Sequence, residues 1–189
     1  MNQKKRNKAK TEIVTGNHKQ KQKKKRNGPS SAVVVGDRAY LVDFGPGVVR
    51  QASAAYFNGV DALRPDLLTV AFCTHLHTDH TAGYPDLIFT PWVLERPVPL
   101  KVFGPRGLQH MTDHILQAYE TDIDFRIHGF EKANESGYRV EVTEIESGIV
   151  YRDDLVPDHD SGGRSVGIRT RIWCAGSEKN KFCMHSFSF

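Results

Sequence analysis

The sequence predicts a layered domain of the α/β (or α+β) class, and three features carry that prediction. Short runs of β-branched and aromatic residues lie between turn residues, other stretches repeat their apolar residues at helical spacing, and one near-continuous apolar run ends in a cluster of histidines. Strands of both half-buried and fully buried pattern, alternating with amphipathic helices, need at least two layers to bury their apolar faces.

In chain order, residues 32–35 and 40–44 flank Gly36-Asp37, a turn dipeptide, which predicts a β-hairpin. Residues 43–47 (DFGPG) break the second strand, and residues 48–57 read as a helix ending near Asn58-Gly59. Residues 67–74 (LLTVAFCT) predict a strand buried on both faces. Residues 84–93 predict a short helix, and residues 100–103 a strand closed by Gly104-Pro105. Leu108, Met111, Ile115 and Ala118 form one apolar stripe of a further helix. Residues 138–151 alternate in two short runs about Ser147-Gly148 and predict a strand pair; residues 165–172 predict one more strand. No period marks residues 175–189, and no internal repeat is present.

A chain of 189 residues has room for one domain with a real core. Its 39% hydrophobic and 25% charged residues are those of a globular protein, and no apolar run approaches the roughly 18 residues of a spanning helix. Cys73, Cys174 and Cys183 are widely spaced and odd in number, which favours a reducing compartment. With a charged N-terminus lacking an apolar core, the expected location is the cytoplasm, without membrane attachment. The net charge of +4 hides a division: residues 1–27 carry +10 and the remainder −6. Residues 1–27 are expected to be a disordered basic tail, with Lys23-Lys24-Lys25-Arg26 able to attract nucleic acid. Residues 28–172 form the expected domain, and residues 173–189 an irregular C-terminal tail.

His75-Leu76-His77-Thr78-Asp79-His80 places four potential metal ligands in six residues directly after the buried run. In an extended segment, His75 and His77 point the same way and can share one ion, while Asp79 and His80 follow as the chain turns toward Gly83. Imidazole and carboxylate are the ligands of catalytic zinc, and manganese and iron accept similar sets. His110 and His114 are spaced i, i+4, but HMTDH lacks the Glu of HExxH; they read as solvent-facing helix residues. His18 and His128 have no ligand context.

GPSSAVVV (28–35), LVDFGPG (41–47), THLHTDHTAGYPDL (74–87) and VFGPRG (102–107) resemble the metallo-β-lactamase superfamily, and within it the ribonuclease Z-like and arylsulfatase-like hydrolases. The resemblance implies an αββα sandwich, represented mainly by its N-terminal half. It also implies that His75 and His77 bind one metal ion, that Asp79 and His80 bind a second, and that Asp43 orients a ligand from behind. Residues 11–14 resemble the family's first strand, but lysines replace the Gly-rich loop expected after it. The family pattern continues with a third His, a bridging Asp and a late His. His159 is the candidate for the first of these, ahead of Asp158 and Asp160. No residue beyond Gly176, His185 included, fits the others, so the chain reads as a truncated member.

The expected function is hydrolysis of a small-molecule ester or phosphodiester by a metal-activated water, with two zinc ions in an intact site and Asp79 orienting or deprotonating that water. One alternative is a ribonuclease Z-like endonuclease acting on tRNA 3′ ends, with the basic tail assisting RNA binding. Another is a non-catalytic remnant with a partial metal site. A homodimer is compatible with each.

Overall fold

The computed structural model of the chain describes residues 11–15, 28–145, 148–154, 165–175 and 182–188. A six-stranded sheet has the order β1 (Thr11–Thr15), β2 (Ser31–Val35), β3 (Arg38–Val42), β4 (Val70–Phe72), β5 (Leu100–Gly104) and β6 (Val140–Glu144). The first three strands are antiparallel, and β3 to β6 are parallel. Each parallel step requires a crossover connection. α1 (Val48–Phe57) supplies the first, α2 (Thr78–Thr81) and α3 (Tyr84–Val93) the second, and α4 (Leu108–Ala118) with α5 (Glu120–His128) the third. A three-stranded antiparallel sheet follows in the order β7 (Gly148–Asp154), β8 (Ser165–Ala175), β9 (Phe182–Ser188).

Strand alternation divides the core between the two faces of the first sheet. Ala39 and Leu41 of β3, Ala71 of β4, and Leu100 and Val102 of β5 join Val49, Ala52, Leu87 and Trp92 of the helices in one cluster. Tyr40, Val70, Phe72, Phe103 and Ile145 form a second cluster on the opposite face. There the Phe72 and Phe103 rings stack with centroids 5.1 Å apart, and Tyr151 of β7 meets them edge-on at 6.0 and 5.3 Å. The buried runs read in the sequence are thus strands covered on both sides.

Several expectations are corrected. Within residues 67–74 only Val70–Phe72 is strand; a 3-10 turn at Pro65–Leu67 precedes it, and Leu68 and Cys73 are buried without belonging to it. The alternating runs at 138–151 are not a pair. β6 joins β5 in parallel and β7 begins the other sheet, because alternation reports which face is buried and not which strand is the partner. Of the basic tail, Thr11–Thr15 is a strand with register from Thr11↔Val35 to Thr15↔Ser31; the rest of residues 1–27 lies outside the described residues. The stretch expected to be irregular from 173 onward contains the end of β8 and all of β9, held by backbone pairing that needs no side-chain period. Helix α5 escaped the sequence because only Ile123 and Ile127 pack on the core.

A buried arginine closes the polar ledger of the second crossover. Pro91 lies inside α3 and has no N–H, so the Leu87 carbonyl four residues earlier loses its helical donor. Arg96 Nη1 donates to that carbonyl at 3.0 Å and to Leu68 O at 3.1 Å. Nη2 donates to Ile88 O and Gly137 O at 2.7 Å, and Nε to Gly137 O at 3.2 Å. Arg96 is fully buried, and burial lowers its pKa to about 10, which leaves it charged at neutral pH. Replacing Arg96 by Met should destabilise the fold by at least about 3 kcal/mol, because several buried carbonyls lose their donor at once and each costs about 1–3 kcal/mol. Urea unfolding measures this; a loss under 1 kcal/mol would show that the carbonyls find other partners.

Candidate metal centre

The loops that follow β3 and β4 lie at the carboxyl ends of adjacent parallel strands, where open α/β sheets gather their functional residues. The Asp43 N–H donates to Phe72 O at 2.7 Å, which joins the two strand ends. Phe44 N–H then donates to His80 O and Gly83 N–H to Phe44 O, both at 2.9 Å, so the DFGPG loop is knitted to α2. This close approach explains two glycines: a Cβ at Gly45 would strike the Asp79 carbonyl, and one at Gly83 would strike the Gly45 carbonyl.

Asp43 adopts a left-handed conformation (φ 61°) and is buried. Its Oδ1 accepts from Thr74 N–H at 2.8 Å and from the Thr74 hydroxyl at 2.8 Å, and its Oδ2 lies 2.7 Å from His80 Nδ1. A carboxylate only accepts, so His80 Nδ1 carries the proton and Nε2 the lone pair. The Thr74 hydroxyl has one proton. Given to Asp43, it leaves the oxygen to accept from His75 Nδ1, 2.9 Å away, which puts the His75 lone pair on Nε2 as well. The Asp43 carboxylate thus contacts His80 directly and His75 through Thr74, the kind of contact that can orient a ligating imidazole.

The four motif side chains come together. The His75 ring centroid is 4.0 Å from that of His80 and 4.7 Å from that of His77. His80 Nε2 lies 3.6 Å from Asp79 Oδ2. Two ligands on one tetrahedral zinc, with bonds of about 2.0–2.2 Å, are separated by roughly 3.3–3.6 Å, so this pair fits a shared ion. His75 and His80 are buried, Asp79 is half-buried and His77 is exposed. Among the described residues, however, no three His, Cys, Asp or Glu side chains meet as a ready-made cage. The donor set suits metal pairwise and calls for further ligands.

Residues 25–168 match the Metallo-beta-lactamase superfamily. The chain belongs to that superfamily. Its members generally bind metal ions, usually zinc. The chain is 36% identical over 156 residues to a ribonuclease Z of Mycobacterium marinum, a match covering 78% of this chain and 53% of the relative. A ribonuclease Z of Mycobacterium bovis is 40% identical over 105 residues, covering 54% and 35%. The chain therefore spans about half the length of the first of these relatives. Among solved structures, the metallo-beta-lactamase fold protein YhfI of Bacillus subtilis superposes with a TM-score of 0.54 at 13% identity, covering 96% of this chain and 58% of that one. The short form of human tRNase Z gives 0.51 at 18%, covering 93% and 63%. These two bear on the fold alone: the mixed sheet with its helices is that of the superfamily.

His159, Asp158 and Asp160 lie outside the described residues, as does His18. His128 is exposed on α5, 3.8 Å from Asp124. Thr74 is the functional residue that the sequence reading missed. It stands in the THLHTDH run, but nothing in one sequence marks a threonine as the hydrogen-bond link between Asp43 and His75. No described helix is long and apolar enough to cross a membrane.

Burial, and then the neighbouring His80, lower the His75 pKa. The fold therefore favours neutral His75. Its contribution is full above the unfolded value of about 6.5 and is lost as the pH falls toward the folded value. Metal-free protein should lose more stability between pH 7 and pH 5 than His75→Gln does; equal losses would remove His75 as the cause. Asp43→Ala should cost about 3 kcal/mol in urea unfolding by orphaning buried donors. Asp43→Asn, which tolerates a left-handed backbone, should recover part of that, and equal losses for the two would show that the acceptor is not what matters.

Proposed function

We propose that the chain is the metal-binding half of a phosphodiesterase that acts on RNA, a ribonuclease Z-like hydrolase, in preference to a small-ester hydrolase. The carrying observation is the placement of Thr15 and Gly28, the described residues on either side of the basic block in sequence. β1 ends at Thr15, opposite Ser31, which is itself opposite Val42, the residue before Asp43. At the other end of the block, Gly28 N–H donates to Pro46 O at 3.1 Å, and Gly28 packs so closely on Pro46 and the Asp79 carbonyl that a Cβ has no room. In sequence the six Lys/Arg from Lys19 to Arg26 follow Thr15 and precede Gly28, and these two described residues both lie at the end of the sheet where Asp43 stands. Cationic side chains there would neutralise backbone phosphates and release counterions. The ribonuclease Z relatives support the same substrate class.

In this reading His75 and His77 hold one ion and Asp79 and His80 a second, with His159 the proposed third donor to the first. Zinc bound in such a site supplies Lewis acidity and brings the pKa of water down to about 7. Asp43 and Thr74 hold the histidine tautomers, and the half-buried Asp79 carboxylate takes or directs the proton of the attacking water.

The zinc-loaded chain should cleave a 3′-extended tRNA-like RNA and hydrolyse bis-p-nitrophenyl phosphate more slowly. Asp79→Asn should reduce both rates by about 10²–10⁴-fold. Joint replacement of Lys23, Lys24, Lys25 and Arg26 by Gln should weaken RNA cleavage and its salt dependence while sparing the small substrate. Equal loss on both substrates would sink the RNA reading. Tight zinc binding with no turnover on either would replace the hydrolase reading with that of a non-catalytic metal-binding fragment.

A further inference from the structure

A second pair of histidines stands outside the candidate centre, on the exposed face of α4. His110 and His114 are one helical turn apart and both exposed, with ring centroids 4.1 Å apart and planes inclined by 54°. That separation is nearly the 4.0 Å between His75 and His80. His114 Nδ1 lies 2.8 Å from the His110 carbonyl oxygen. A carbonyl accepts only, so that nitrogen carries the proton and the Nε2 lone pair faces outward, the arrangement by which a backbone carbonyl orients a metal-binding imidazole. Asp113 is also exposed, three residues after His110, and its carboxylate is held by the Gln109 amide at 2.8 Å, adding a fixed negative charge beside the pair.

We propose that His110 and His114 form a two-ligand site for a borderline divalent cation (Cu2+, Ni2+ or Zn2+), separate from the candidate centre, with water completing the coordination. Residues at i and i+4 neighbour each other on a helix, and two imidazoles at that spacing can close on one ion. Leu108 and Thr112 anchor α4 in the core, so the helix that carries the pair is rigid while the two rings are accessible. Affinity should follow the usual order for nitrogen ligands, with Cu2+ above Ni2+ and Zn2+. Gly107, the residue before the helix, lies close to Leu76, which stands between His75 and His77. At about 1.5 Å per residue, the pair lies roughly 5–10 Å along the helix from that contact, so metal counts on the whole chain would include it.

The test is calorimetric titration of the metal-free full chain with Ni2+, paired with the histidine ring signals in proton spectra during titration with Cu2+. His110→Ala and His114→Ala should each weaken one binding event at least ten-fold, while His77→Ala leaves that event in place. Cu2+ should broaden the His110 and His114 ring signals in the His77→Ala protein. Both residues are exposed, so circular dichroism of the variants should match the wild type and separate lost binding from lost fold. Titrations of His110→Ala and His114→Ala that superpose on the wild type, or ring signals untouched by Cu2+, would overturn the proposal without bearing on the RNA-cleavage reading.

Discussion

The buried carboxylate of Asp43 is the contact on which the candidate centre depends. Its backbone leaves β3 in a left-handed turn that the DFGPG loop makes possible, and its N–H reaches the end of β4. Its two oxygens then engage Thr74 and His80, from opposite ends of the metal motif. A buried carboxylate with fewer donors would carry an uncompensated desolvation cost. Here two side chains and a backbone N–H offset it, and the same bonds select the tautomer in which His75 and His80 can hold metal. Folding and ligand preparation are one set of hydrogen bonds.

Behind that centre, the second crossover solves a separate problem. Pro91 breaks the hydrogen-bond ladder of α3, and a broken ladder inside a core exposes a carbonyl to nothing. Arg96 turns back from three residues beyond the helix and donates to that carbonyl, while also holding Leu68 before β4 and Gly137 before β6. The guanidinium fork suits this, since its donors have fixed directions and stay charged even when burial lowers the pKa. β4 is only three residues long. Its position, and therefore that of the histidines after it, relies on such clamps as much as on its own pairing.

Much of this was legible in the sequence where one residue pattern has one physical meaning. The Gly36-Asp37 hairpin, the helices at 48–57 and 84–93 and the metal motif after a buried run all appear where spacing and turn residues put them. The rest depends on partners distant in sequence. β6 and β7 alternate alike yet enter different sheets, α5 carries too few apolar residues to announce itself, and β1 lies among lysines and showed only through the family resemblance of residues 11–14, its partner β2 lying beyond them. Thr74 gains its role from Asp43, 31 residues away, and no local pattern encodes that. Residues 1–27 read as a tail because charge runs usually are tails, and within them Thr11–Thr15 is a strand. The positions of Thr15 and Gly28 on either side of the basic block became visible only with strand register and backbone contacts.

Ligand count then separates metal binding from catalysis. Catalytic zinc usually has three protein ligands and an open position for water, and a two-ion hydrolase needs its ions held about 3.5–4 Å apart. In the proposed reading the HLHTDH segment offers two donors to each of two ions, and two donors per ion would not hold that separation against the repulsion of the cations. In that reading His159 is the proposed further donor. The HLHTDH segment and Asp43 then supply the first part of the metal site, while the charge of the basic block serves a polyanionic substrate. The groups that lock the ions together are a distinct requirement, which allows firm metal affinity and turnover to be lost independently.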